Sequence, residues 1–252
     1  METTFFSDKK VPYICTPLTG TNKEEIMDEL KTIIPKKPDV IEWRADFLEE
    51  ISNTAYVLSV AKEIAAVIDV PLLFTIRSEK EGGQEISLSE EEKVELLSQI
   101  CESSAVDLID FEVSNSPEHI HRLRKQSKEN KKQLILSYHN FTCTPANSEM
   151  MKQVYMAEFF GADIAKIAVM PNNKEDVLQL LELTKQADEA LSIPIVSMSM
   201  GKIGSLTRII GWAYGSVMTF GMGVQSSAPG QIPIEKLKEQ IASTQEMVGD
   251  WE

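Results

Sequence analysis

The stretch DIAKIAV at 163–169 decides the fold. It is a short run of Ile, Ala and Val with the outline of a strand buried on both faces, yet it carries Lys166 at its centre. Strands that are apolar on both sides belong to parallel sheets covered by helices. An ammonium in mid-strand among Ile164, Ala165, Ile167, Ala168 and Val169 meets a heavy desolvation cost, so a lysine there serves chemistry better than packing.

Working outward, seven runs of the same kind recur about every thirty residues: PYICTPL at 12–18, DVIEWRA at 39–45, PLLFTIR at 71–77, DLIDFEV at 107–113, QLILSYH at 133–139, PIVSMSM at 194–200 and SVMTFG at 216–221. Between them apolar residues fall at helical spacing, as in Leu58, Ala61, Ala65 and Ile68, in Val94, Leu97 and Cys101, and in Val177, Leu180, Leu181 and Thr184. Ser89 with Glu92 marks a capping box, and Ser116 before Pro117 marks a second helix start. Eight alternating strand and helix units in 252 residues, with no linker or low-complexity break, predict one α/β domain over 1–252: a (β/α)8 barrel of parallel strands. An open dinucleotide-binding sheet wants a glycine-rich turn after its first strand, and TPLTGTNKEE has one glycine.

Composition narrows the partners. The 39 acidic residues against 25 basic ones give a formal net charge of -14. Such a surface repels nucleic acid and anionic lipid, and no apolar run is long enough to cross a bilayer. The N-terminal METTFFSDKK lacks the order of a signal peptide, which predicts a cytoplasmic protein. Three widely spaced cysteines, Cys15, Cys101 and Cys143, suit neither disulfides nor a zinc site, and no metal or other cofactor is expected.

In a barrel alternate strand residues point inward, and the C-terminal strand ends form the active face. The inward phase collects Glu42 and Arg44, Thr75 and Arg77, Asp110 and Glu112, Ser137 and His139, and Lys166. Burial, with Arg44 and Arg77 nearby, favours the neutral amine of Lys166, which attacks ketones. His139 ends the neighbouring strand and can move protons beside that amine. A structural ion pair of Lys166 with Asp110 or Glu112 is the competing reading. After strands seven and eight, GKIGSLTR and QSSAPGQ bring Arg208, Ser227 and Gln231, a set suited to a carboxylate and hydroxyl groups. The glycine-rich segments 201–204 and 221–230 are expected to act as lids. Four cations balance four acids at the mouth, which admits an anion to an acidic protein.

Taken in order, EWRAD at 42–46, TIRSEKEGG at 75–83, SYHNF at 137–141, AKIAVMP at 165–171, SMSMGKIGSLTRI at 197–209 and SSAPGQ at 226–231 resemble type I 3-dehydroquinate dehydratase across nearly the whole chain. The resemblance implies dehydration of 3-dehydroquinate to 3-dehydroshikimate through a Schiff base on Lys166, with His139 as general acid and base and Glu81 orienting it. It further implies substrate binding by Glu42, Arg44, Arg77, Arg208, Ser227 and Gln231, and a homodimer. Two other functions stay open. A class I aldolase acting on a small sugar phosphate shares the barrel and the imine but needs a phosphate site, and a catalytically dead barrel serving as a binding module has no need of both Lys166 and His139.

Overall fold

The computed structural model describes residues 12–249, so the METTFFSDKK segment and the reading made of it lie outside the described residues. In chain order the elements are β1 (Tyr13–Leu18), α1 (Lys23–Ile33), β2 (Val40–Arg44), α2 (Thr54–Ala65), β3 (Leu72–Thr75), α3 (Glu90–Glu102), β4 (Leu108–Glu112), α4 (Pro117–Glu129), β5 (Gln133–Asn140), α5 (Asn147–Phe159), β6 (Ile164–Val169), α6 (Lys174–Ala190), β7 (Ile195–Ser199), α7 (Gly201–Gly204), α8 (Thr207–Ile210), β8 (Met218–Met222), β9 (Ile232–Pro233) and α9 (Ile234–Val248). Each of the eight expected strands is present within a few residues of its expected bounds.

The strands pair in parallel in the order β7-β6-β5-β4-β3-β2-β1-β8-β9. A bridge between Ile195 and Ser216, with the Val217 N–H donating to the Ile195 carbonyl at 2.9 Å, joins β7 to the start of β8 and closes the ring. The fold is the (β/α)8 barrel that the sequence predicts, with β9 a two-residue addition beside β8.

Side-chain alternation divides the interior into two bodies. Outward residues such as Ile41, Trp43, Phe74, Ile109, Phe111 and Ile167 pack against the helices in the main core. Inward residues at the strand starts, Val40, Leu73, Leu108, Ile135, Ile164 and Val196, plug the base of the barrel together with Tyr13, Cys15 and Met218. Two residues further along, the inward positions become Glu42, Thr75, Asp110, Ser137 and Lys166, and two beyond those come Arg44, Arg77, Glu112, His139 and Ala168. An apolar floor therefore carries polar upper layers at the C-terminal ends.

Capping fixes where the helices begin. Asn22, Asn53, Ser89, Ser116 and Asn173 each accept a backbone N–H from the first turn, and Ser89 with Glu92 forms the full capping box. At the opposite end Asp39, Asp107 and Asp163 accept from the backbone N–H of Ile14, Leu72 and Leu134 on the preceding strand, at 2.9, 2.9 and 2.7 Å. Each such bond contributes about 1 kcal/mol and fixes the level at which one strand starts against the last. Cys15 and Cys101 are buried, and burial pushes both thiols up, that of Cys101 to about 12, consistent with inert reduced residues.

The segment 201–204, expected to act as a lid, forms the helical turn α7. Its position depends on Gly230, whose φ is +79° and whose missing Cβ would stand 2.2 Å from the Gly201 carbonyl oxygen. The Gly201 N–H in turn donates to the Pro229 carbonyl at 3.1 Å, so the loop after β8 rests on the turn after β7.

Candidate active site

An open pocket lies over the polar upper layers. All nine residues singled out from the sequence, Lys166, His139, Glu81, Glu42, Arg44, Arg77, Arg208, Ser227 and Gln231, line it.

Lys166 stands at the centre, 5% exposed. Its Nζ donates to Asp110 Oδ2 at 2.9 Å, lies 3.6 Å from Glu42 Oε1 and sits 4.6 Å from the centroid of the Phe220 ring. The amine thus faces two carboxylates and an aromatic face, not the arginines expected beside it. Arg44 is turned away, bound through Nε and Nη2 to both oxygens of Asp46 at 2.8 and 2.7 Å. Arg77 donates to Asp110 Oδ1 at 2.6 Å, to Ser137 Oγ at 2.8 Å and to Glu112 Oε1 at 3.3 Å. Burial works against the Arg77 charge, but Asp110, Glu112 and Glu81 outweigh it and hold the guanidinium firmly protonated. Burial likewise works against the Asp110 charge, and Arg77 and Lys166 overcome it, holding that carboxyl well below the usual range.

His139 extends from β5 beside β6, where Ser137 registers against Lys166 and His139 against Ala168. Glu81 reaches it from a single 3-10 turn, 79–81, after β3. Glu81 Oε2 accepts the His139 backbone N–H at 2.9 Å and lies 2.9 Å from Nδ1, while Ser114 Oγ donates to Oε1 at 2.9 Å. Burial, then the Arg77 and Lys166 charges, hold the imidazole well below its ordinary value. Burial pushes the Glu81 carboxyl up to about 7, with Arg77 opposing. The arrangement that satisfies every donor is a neutral ring with its proton on Nδ1 and a bare Nε2.

Arg208, in α8, is 1% exposed and has neutral partners alone: the Met198 Sδ at 3.5 Å, the Phe220 carbonyl at 3.4 Å and the Pro229 carbonyl at 3.2 Å. Its Nε has no partner, and no carboxylate pairs with it among the described residues. Burial pulls this arginine down to about 10. Ser227 and Gln231 are satisfied by one another, the Ser227 N–H donating to Gln231 Oε1 at 2.9 Å and Gln231 Nε2 to Ser227 Oγ at 3.1 Å. No group of three or more His, Cys, Asp or Glu side chains suited to a metal occurs among the described residues.

The arrangement is a buried amine, an imidazole oriented by a carboxylate and an unneutralised guanidinium around one cavity. Residues 14–247 match the family description "Type I 3-dehydroquinase". The chain is 49% identical over 242 residues, 96% of its length and 92% of the relative's, to 3-dehydroquinate dehydratase of Albidiferax ferrireducens.

The chain belongs to the type I 3-dehydroquinase family.

That family comprises carbon–oxygen lyases, and the solved structures agree with the assignment. The barrel superposes on 3-dehydroquinate dehydratase from Geobacillus kaustophilus with a TM-score of 0.92 and 42% identity, covering 95% of this chain and 93% of that one. It matches the type I enzyme of Clostridium difficile, solved with covalently modified comenic acid, at a TM-score of 0.90 and 37% identity, with 94% of each chain covered.

Several contributors to this pocket were given no role from the sequence. Phe220 and Phe141 line it, and Asp46, Ser114 and Ser137 hold its charged residues in place. Ser137 was readable as inward-facing; Ser114 lies in a loop with no periodic signal.

Proposed function

We propose that this chain dehydrates 3-dehydroquinate to 3-dehydroshikimate through an imine on Lys166. The observation that carries the reading is the buried Lys166 amine sharing one pocket with the His139–Glu81 pair and with the unpaired cation of Arg208. The guanidinium fork of Arg208 clamps the substrate carboxylate, placing the ketone over Nζ. Glu42, Arg44, Arg77, Ser227 and Gln231 hold the hydroxyl groups, with Ser227 and Gln231 exchanging their mutual bonds for bonds to the ligand. The pocket offers a carboxylate clamp, and this favours a hydroxylated keto-acid over the sugar phosphate of an aldolase.

The amine attacks the ketone carbon, and water leaves to give an iminium. The iminium draws electrons from the neighbouring carbon, whose proton passes to Nε2 of His139, and the resulting enamine expels the hydroxyl of the carboxyl-bearing carbon. His139 delivers the proton to that hydroxyl, and hydrolysis frees the conjugated product and the amine. That the relative from Clostridium difficile carries a covalently modified ligand supports an imine-forming site of this kind. The working unit is a single catalytic domain, cytoplasmic and homodimeric.

Incubation with 3-dehydroquinate should raise the absorbance of a conjugated enone, and borohydride should fix the substrate to Lys166, located by peptide mass. An enone signal with Lys166 unlabelled removes the covalent mechanism; neither signal removes the whole reading. His139→Ala is expected to lower kcat by about 10²–10⁴-fold while Lys166 still becomes labelled, slowly. Unchanged turnover excludes the proton-transfer role.

Activity should also depend on Glu81. The carboxylate form accepts from Nδ1, so with a carboxyl pushed up to about 7 the active form is present above that pH and is lost as pH falls through it. Turnover is expected to decline below pH 7, and Glu81→Gln, which cannot titrate, should remove this limb while lowering kcat. The same limb in the variant would assign it to another group.

A further inference from the structure

Below the pocket lies a carboxylate that does not line the open space and to which the mechanism above gives no part. Asp110 is 1% exposed, and each of its oxygens is engaged. Oδ1 accepts from Arg77 Nη2 at 2.6 Å and from Ser137 Oγ at 2.6 Å, and Oδ2 accepts from Lys166 Nζ at 2.9 Å. We propose that Asp110 is the fixed counterion of the iminium formed on Lys166, and that its Oδ2 aims the iminium N–H and so sets the direction of the C=N bond. The proposal rests on the imine reading.

Charge balance carries the argument. An ammonium and a ketone condense to an iminium and one water: the C=O bond breaks, a C=N bond forms, two of the three ammonium protons leave on the water, and the nitrogen keeps one proton and its positive charge. The charge at Nζ is the same before and after. A buried anion already paired with the ammonium therefore serves the iminium without any ion entering or leaving the site, where an unpaired charge is costly.

Geometry adds direction. The iminium nitrogen is planar with three substituents, namely Cε, the new carbon and one hydrogen. The nearest acceptor is Asp110 Oδ2, whereas Glu42 Oε1 is more distant at 3.6 Å and already accepts from Thr75 Oγ1 at 3.0 Å. With Cε held by β6 and the hydrogen directed at Asp110, the third direction is determined and leads into the cavity. Arg77, clamped on Oδ1, keeps this carboxylate ionised and immobile and draws off part of its charge, so that the pull on the ammonium is not so strong that attack is prevented.

The test is Asp110→Asn, which keeps the shape and deletes the charge. Borohydride labelling of Lys166 with 3-dehydroquinate is expected to fall at least about tenfold and kcat by about 10²–10³-fold, the usual loss when a group aimed at a reacting charge is removed. Asp110→Glu, which keeps the anion on a longer stem, should recover labelling well above that of the Asn variant. Equal labelling in Asp110→Asn overturns the counterion, and labelling lost equally in Asp110→Asn and Asp110→Glu assigns Asp110 to shape alone, which also overturns it. Absence of labelling in the wild-type protein sinks the imine reading itself, so the two failures are distinguishable. If the variant does not fold, wild-type protein carrying ¹⁵Nζ-lysine decides: the adduct nitrogen should resonate as a protonated iminium from pH 6 to 9, and a neutral imine there overturns the proposal.

Discussion

Replacing Lys166 with alanine is expected to abolish turnover, leaving less than about a thousandth of the wild-type kcat, while the barrel still folds. The first half follows from the chemistry: with no other amine lining the pocket among the described residues, no imine forms and the carbon next to the ketone loses its activation. The second half depends on what remains when the amine goes. Breaking a buried ion pair commonly costs about 3–5 kcal/mol, because the surviving charge has nowhere to turn. Here Asp110 keeps Arg77 and Ser137, and Glu42 keeps the Thr75 hydroxyl, so neither carboxylate is stranded. The expected loss is therefore below that range, about 1–3 kcal/mol. Enone absorbance measures the activity and thermal unfolding the stability. Residual kcat above the stated level would refute covalent catalysis, and an unfolded variant would show that Lys166 is also a structural keystone.

The fold was legible because its signal is repeated eight times and each repeat is short-range: a run of Val, Ile and Leu for the strand, then helical spacing. In a barrel of sequential parallel strands, neighbours in the chain are neighbours in space, which made the proximity of His139 to Lys166 readable. The inward phase of Glu42, Arg44, Arg77 and Lys166 was readable for a similar reason, since charges at alternate positions stand out against Ile41, Trp43 and Ile167. Which charges meet was not, because that depends on strand stagger and on side-chain length. Arg44 and Arg77 share the layer above Lys166 and were expected beside the amine, yet Arg44 turns to Asp46 two residues away, and Arg77 reaches Asp110. Glu81 shows the limit most clearly. Its run SEKEGGQE has the composition of a solvated loop, yet the 3-10 turn and Gly82, at φ +85° under the Phe141 ring, fold it back over the mouth so that it lies 6% exposed against His139. No local pattern encodes that return.

Arg208→Met should raise KM for the substrate by about 10²–10³-fold, because truncating one partner of a desolvated charge pair costs about 2–5 kcal/mol. The same substitution should leave the melting temperature of the free protein unchanged or raise it, and this opposite sign is the diagnostic part. Arg208 is buried with a bare Nε and neutral partners only, and burial alone pulls its guanidinium down to about 10. A charge in that state is a cost to the folded chain, and replacing it with an apolar side chain of similar length relieves desolvation that no carboxylate among the described residues offsets. The cost is recovered when a carboxylate enters: two N–H···O bonds form, the charge is neutralised and the guanidinium gains the anionic partner that the free protein lacks. Substrate-free stability and substrate affinity are therefore set against each other at this one residue. Binding of product should accordingly raise the melting temperature of the wild type more than that of the variant, and a keto analogue lacking the carboxylate should bind both about equally. A KM within threefold of the wild type would mean that the carboxylate is held elsewhere, and a marked fall in stability would mean that the three carbonyl and sulfur contacts of Arg208 exist to support the barrel instead of waiting for an anion.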